Sequence, residues 1–111
     1  MTILEVENVE EGGLVRLLLR GELDLSTASK AEEELRRAEA DEPDLLVLDL
    51  SELTFLDSTG LRLIVTADHR AREQGRRLAV VKGSDTVQRV FAITRLDERL
   101  EMLEQGADPN V

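Results

Sequence analysis

The run Leu45-Leu46-Val47-Leu48-Asp49-Leu50 constrains the fold more than any other stretch of the chain, because its apolar residues do not alternate with polar ones. A strand with one wet face alternates with a period of two. A run this uniformly apolar belongs to a central strand, covered on both faces or flanked by parallel neighbours. Apolar runs of this length are also far short of a membrane span, and none elsewhere in the chain is longer. Parallel neighbours need crossover connections, so the segments on either side should be helices.

The flanking sequence supplies them. Ile3 to Val9 alternates imperfectly, with Leu4 and Val6 on one face and Glu5 and Glu7 on the other, as in a charged edge strand. Glu11-Gly12-Gly13 forms a turn, since glycine accepts positive φ. Leu14 to Arg20 then places Val15, Leu17 and Leu19 on one face, which completes a hairpin. Ser26 or Thr27 can cap a first helix, Ser26 being preferred, in which Ala28, Ala31, Leu35 and Ala38 recur at helical spacing. Asp41-Glu42-Pro43-Asp44 breaks it.

After the central strand, taken to end near Leu50, a loop is expected to return Leu53 and Phe55 to the core. Leu61 to Gln74 reads as a second helix with Leu61, Ile64, Val65 and Ala71 inward and Gly75 as its stop. Leu78 to Val81 is a short buried strand. Ser84-Asp85 caps a third helix that buries Val87, Val90 and Phe91. Leu96 to Leu103 fits either a last strand or a helical turn. The predicted order is β-β-α-β-α-β-α plus a weak C-terminal element, with right-handed crossovers. The fold class is α/β: one small domain, residues 1–105, with a mixed four- to five-stranded sheet and helices, and a flexible tail over 106–111.

Composition narrows the function. The 111 residues suffice for one core, and Leu, Val, Ile and Ala must build it because Phe55 and Phe91 are the only aromatics. A net charge of −10 repels phosphate backbones, so no direct nucleic-acid partner is expected. The charge is uneven, −11 over residues 1–60 against +1 over 61–111. Cysteine is absent, which excludes disulfides and thiol chemistry. The N-terminus lacks a secretory pattern, so the expectation is a cytoplasmic protein with no membrane partner, no cofactor and no metal.

The one corner that invites chemistry is Asp57-Ser58-Thr59-Gly60, where a strand-like run restarts at once as a helix. A serine nucleophile needs a nearby base. The single histidine, His69, lies eleven residues on, about three helical turns away, and reads as a solvated surface residue. No nucleophile-elbow, Walker or dinucleotide signature is present, so the chain is not expected to be an enzyme. Ser58 instead stands at the positive end of a helix dipole, among backbone N–H groups that receive a phosphate well. A phosphate there adds about −1.5 to −2 charge beside Asp57. Asp57 or Ser58 acting only as a helix cap is the plainer reading, and the two are compatible.

Three segments carry a resemblance. GELDLSTA (Gly21 to Ala28), LSELTFLDSTGL (Leu50 to Leu61) and RRLAVVKGSDTVQRVF (Arg76 to Phe91) together resemble the STAS-domain anti-sigma factor antagonists of bacteria, over about residues 3 to 95. Their order and spacing, rather than any one motif, make the likeness specific. The resemblance implies a STAS-like fold and partner switching. The unphosphorylated protein would bind an anti-sigma factor that is also a serine kinase, and so free a sigma factor. Phosphorylation of Ser58 would break that complex, and a protein phosphatase would restore it. Asp24, Asp57, Ser58, Thr59, Gly60 and Arg62 would form the docking surface, on a protein that is monomeric when free. Thr59 and Ser26 are rival hydroxyls, and the motif favours Ser58. Arg62 departs from the family pattern, which often has glycine there. It either pairs with Asp57 or phospho-Ser58, or is simply solvated. The alternative function is a STAS-like interaction module of another signalling assembly with no sigma factor target. A ligand-binding or enzymatic domain is a third, disfavoured class.

Overall fold

The hairpin forms as its alternation requires. In a computed structural model, which describes residues 3–109, strand β1 (Leu4–Glu11) pairs antiparallel with β2 (Leu14–Leu23). Gly12 and Gly13 take φ of 50° and 83° at the turn, values that a side chain would oppose. Register puts Glu5 beside Arg20 and Glu7 beside Leu18 on one face, with Val6 beside Leu19 on the other.

Three crossovers follow. Helix α1 (Ala28–Ala40) leads to β3 (Leu45–Leu56), α2 (Ser58–Glu73) to β4 (Arg77–Val81), and α3 (Asp85–Ile93) with a 3₁₀ turn (Leu96–Glu98) to β5 (Glu101–Leu103). The sheet order is β1-β2-β3-β4-β5, parallel from β2 onward. The ambiguous segment 96–103 thus contains both expected forms, one after the other. After β5 the chain makes no further helix among the described residues. Of the expected tail, residues 110 and 111 lie outside the described range, while the Pro109 carbonyl accepts a hydrogen bond from Arg77 at 3.0 Å.

One core unites the helices with one face of the sheet. Ala31, Leu35 and Ala38 of α1, Leu61, Ile64, Ala67 and Ala71 of α2, and Val87 and Phe91 of α3 all pack with Leu17, Leu48, Leu50 and Val80. The opposite face holds a smaller cluster of Leu45, Val47, Ala79 and Val81. The Arg16–Asp49 pair, at 3.2 Å, lies on that face by register, as does the Arg77–Glu101 pair. The run at 45–50 is apolar except for the paired Asp49 because β3 is central and parallel to both neighbours.

Two expectations about β3 are corrected. The strand does not end near Leu50 but runs on to Leu56, held by pairing of Glu52 to Phe55 with Arg20 to Glu22 across a bulge. Phe55 does not return to the core either. Leu53 is buried at 1% exposure, while Phe55, two residues on and pairing opposite Glu22, is 43% exposed.

Candidate functional site

The C-terminal ends of β2 and β3 lie side by side, with Leu23 paired to Leu56, and the two loops that leave them are stitched together. Parallel α/β sheets characteristically place their sites at such an edge. The stitching residue is Asp57, the N-cap of α2, whose backbone is extended (φ −104°, ψ −176°). Its Oδ1 accepts the Gly60 N–H at 2.9 Å and its Oδ2 accepts the Leu25 N–H at 3.1 Å. Its own N–H donates to the Leu23 carbonyl at 3.2 Å, and its carbonyl accepts from Leu61 at 3.0 Å. Asp57 therefore caps one helix and anchors the neighbouring loop with the same carboxylate.

The loop between β2 and α1 has its own internal brace. Oδ1 of Asp24 accepts the Ser26 hydroxyl at 2.7 Å, the Ser26 N–H at 2.9 Å and the Thr27 N–H at 3.2 Å. The Ser26 hydroxyl, with those backbone donors and Thr27, holds the Asp24 carboxyl below the usual carboxylate range, against a smaller opposing effect of desolvation. Thr27 is buried, and its hydroxyl donates to the Glu22 carbonyl at 2.8 Å while accepting from the Asp24 N–H at 3.0 Å.

These contacts correct the expected capping of α1. Thr27 occupies the N-cap position without a side-chain cap bond, and Ser26 donates to Asp24 instead of capping the helix. The aspartate wins because its carboxylate can take several donors at once, whereas a hydroxyl takes one or two.

Ser58 is the first residue of α2 and is exposed. The Gly60 N–H is taken by Asp57 and the Leu61 N–H by the Asp57 carbonyl, which leaves the N–H groups of Ser58 and Thr59 with no intrahelical acceptor. Thr59 is half-buried and lines a groove between α1 and α2. Gly60 is buried, and the reason for glycine is steric. A Cβ there would stand 2.7 Å from both Leu23 Cγ and the Leu23 carbonyl oxygen, and 2.8 Å from Leu56 Cδ1. The motif glycine thus lets α2 sit directly on the ends of β2 and β3.

Arg62, one turn beyond Ser58, is exposed and lines the same groove as Thr59. The anticipated Arg62–Asp57 pair does not form; the two Asp57 oxygens accept the Leu25 and Gly60 N–H groups instead. His69 is exposed and pairs with Glu73 at 2.8 Å. With a rise of about 1.5 Å per residue, its place on the helix is roughly 16 Å from Ser58, too far for the imidazole to reach the serine hydroxyl.

The structure therefore brings Asp24, Asp57, Ser58 and Thr59 to one corner, with Gly60 beneath and Arg62 at the groove beside it. Two apolar residues there escaped the sequence reading. Leu25 is 76% exposed and Phe55 43% exposed. A leucine isolated between Asp24 and Ser26 in a polar turn was the available signal for the first. Among the described residues no cluster of ligating side chains fits a metal, and no helix is long and apolar enough to cross a membrane.

Comparison with known proteins gives this corner a context. Residues 5–107 match the family model described as the STAS domain. A Listeria monocytogenes protein named anti-sigma-B factor antagonist is 34% identical over 96 residues, spanning 86% of this chain and 84% of its own. The anti-sigma-F factor antagonist RsfB of Mycobacterium tuberculosis is 34% identical over 83 residues, or 75% of this chain and 68% of its own. The crystal structure of an anti-sigma factor antagonist from Mycobacterium paratuberculosis superimposes with a TM-score of 0.83 at 26% identity, covering 90% of this chain and 85% of that one.

Proposed function

This chain belongs to the STAS-domain family, and on that premise we propose that it is an anti-sigma factor antagonist that works by partner switching. The observation that carries this reading is the exposed Ser58 hydroxyl, held at the first turn of α2 on a corner whose backbone is locked by Asp57. In this mechanism the unphosphorylated corner docks on an anti-sigma factor that is also a serine kinase, and a sigma factor is released. Asp24, Asp57, Ser58, Thr59 and Arg62 meet the partner, with Gly60 fixing their spacing from below. The kinase transfers a phosphate to the Ser58 oxygen, and a phosphatase later removes it. The protein itself supplies no catalytic group. It acts in the cytoplasm, is a monomer when free of its partner and does not touch nucleic acid, and its working unit is residues 1–105 with 106–111 as a tail.

The direction of the switch follows from charge. A neutral hydroxyl between two carboxylates can be desolvated against a partner, but a phosphate of about −1.5 to −2 charge cannot be without compensation. Two features support local repulsion over refolding. Asp24 is held as the ionised carboxylate by three donors, and the backbone around Ser58 is already fixed by hydrogen bonds. A penalty of about 3 kcal/mol lowers affinity by roughly a hundredfold.

The test pairs the purified protein with a candidate anti-sigma factor kinase from the same organism. The wild type should bind, gain one phosphate on the Ser58 peptide when ATP is added, and dissociate. Ser58→Ala should bind and stay bound. Stable binding to a signalling partner, with no phosphate and no sigma factor released, would instead assign the chain to the interaction-module class.

A further inference from the structure

We infer that Arg62 is an intramolecular clamp for phospho-Ser58, an inference that rests on Ser58 being the phosphoacceptor. Residues four apart on a helix are neighbours on its surface, and both Ser58 and Arg62 are exposed on α2. Arg62 is also the one cationic side chain of α1 and α2 that lacks an acceptor among the described residues. Lys30 donates to the Leu4 carbonyl, Arg36 to Glu32, Arg37 to Glu33 and Glu34, Arg70 to Glu39, and Arg72 to the Arg99 carbonyl.

The acidic side chains of the corner and of the groove already carry other donors. Asp57 holds two backbone N–H groups and Asp24 holds its own loop. Across the groove, Glu32 is shared between Arg36 and Arg70, and Glu33 is bound by Arg37. A guanidinium one turn in from a helix N-terminus also gains nothing from the helix dipole. Phosphorylation changes that balance. It places three acceptor oxygens one helical turn from a planar fork of donors, the geometry in which arginine binds phosphate with two parallel hydrogen bonds. The clamp draws the phosphate along α2 towards the groove and offsets part of the charge added to the corner.

The test installs phosphoserine at position 58 during translation, so that neither the kinase nor any binding partner is needed and the result is independent of whether partner switching occurs. Phosphorus NMR then follows the second ionisation of the phosphate in the wild type, Arg62→Gln, Arg62→Lys and, as a control for general charge, Arg36→Gln. The clamp lowers the wild-type midpoint by about 0.2–0.4 pH unit relative to Arg62→Gln, with Arg62→Lys between them and Arg36→Gln matching the wild type. The Arg62 Nε–H resonance should move when the phosphate is present. Coincident midpoints in wild type and Arg62→Gln, an equal shift from Arg36→Gln, or an unmoved Nε–H resonance would each overturn the clamp.

Discussion

Replacing Gly60 by alanine should separate two effects that act in opposite directions. Gly60 is helical, so alanine improves helix propensity by about 1 kcal/mol. Its backbone does not occupy the left-handed region, and the new side chain meets no conformational penalty of its own. The added methyl carbon, however, would lie 2.7 Å from the Leu23 carbonyl oxygen and 2.8 Å from Leu56 Cδ1. Leu56 can rotate, but the Leu23 carbonyl cannot easily retreat, because it accepts the Asp57 N–H and belongs to the sheet. Overpacking of this kind costs about 1–3 kcal/mol, and loosening the Asp57–Leu23 bond adds about 1 kcal/mol. The net expectation is a loss on the order of 1–3 kcal/mol, which for a domain of this size lowers Tm by roughly 5–20 °C. Urea unfolding gives the energy, and amide hydrogen exchange locates it. The Leu25 and Asp57 amides should exchange faster in Gly60→Ala, since both bonds depend on where α2 begins. A variant as stable as the wild type, with Leu25 exchange unchanged, would refute the claim that this glycine sets the corner.

Three further expectations can be checked on the isolated protein. Asp57→Ala removes the acceptors of the Gly60 and Leu25 amides and should destabilise by about 1–2 kcal/mol, with Asp57→Asn recovering part of the loss in the same denaturant titration. Thr27→Val keeps the shape of a buried side chain but strands the Asp24 N–H and the Glu22 carbonyl, a cost of about 1–3 kcal/mol, and two-dimensional NMR should show shifts concentrated in residues 22–27. Arg77 holds the Glu101 carboxyl below the ordinary range through its hydrogen bonds. A depressed carboxyl contributes stability above its unfolded pKa and loses it as pH falls through the folded value. Glu101→Gln should therefore be less stable than wild type at neutral pH by a few tenths of a kcal/mol, given the pair's exposure, and the gap should close on acidification below about pH 4.

The architecture was legible because it rests on local patterning. Alternation in Leu14 to Arg20, helical spacing in Ala28 to Ala38 and the nearly apolar run at 45–50 each follow from which faces must be buried, and all three elements begin where the pattern put them. The same reasoning found the Asp57-Ser58 corner, since a capping residue and a glycine at a strand-to-helix junction are visible in one dimension. It failed where a side chain's environment depends on distant partners. Phe55 looked like core by hydrophobicity, but a register shift in a strand six residues longer than its apolar run turned it outward next to buried Leu53 and Leu56. Ser26 looked like a cap, but the Asp24 carboxylate competes better for the same donors.

What the residues alone determined is the order of elements, the parallel centre of the sheet and a serine at a helix start, because period and turn chemistry depend only on neighbours in sequence. Only the tertiary structure decided that Leu25 is bound to Asp57 across 32 positions, that Gly60 is glycine because Leu23 and Leu56 lie against it, and that Arg62 has no acceptor among the described residues. Those facts depend on how β2 and β3 end side by side, and register across a sheet is set by packing that no single segment contains.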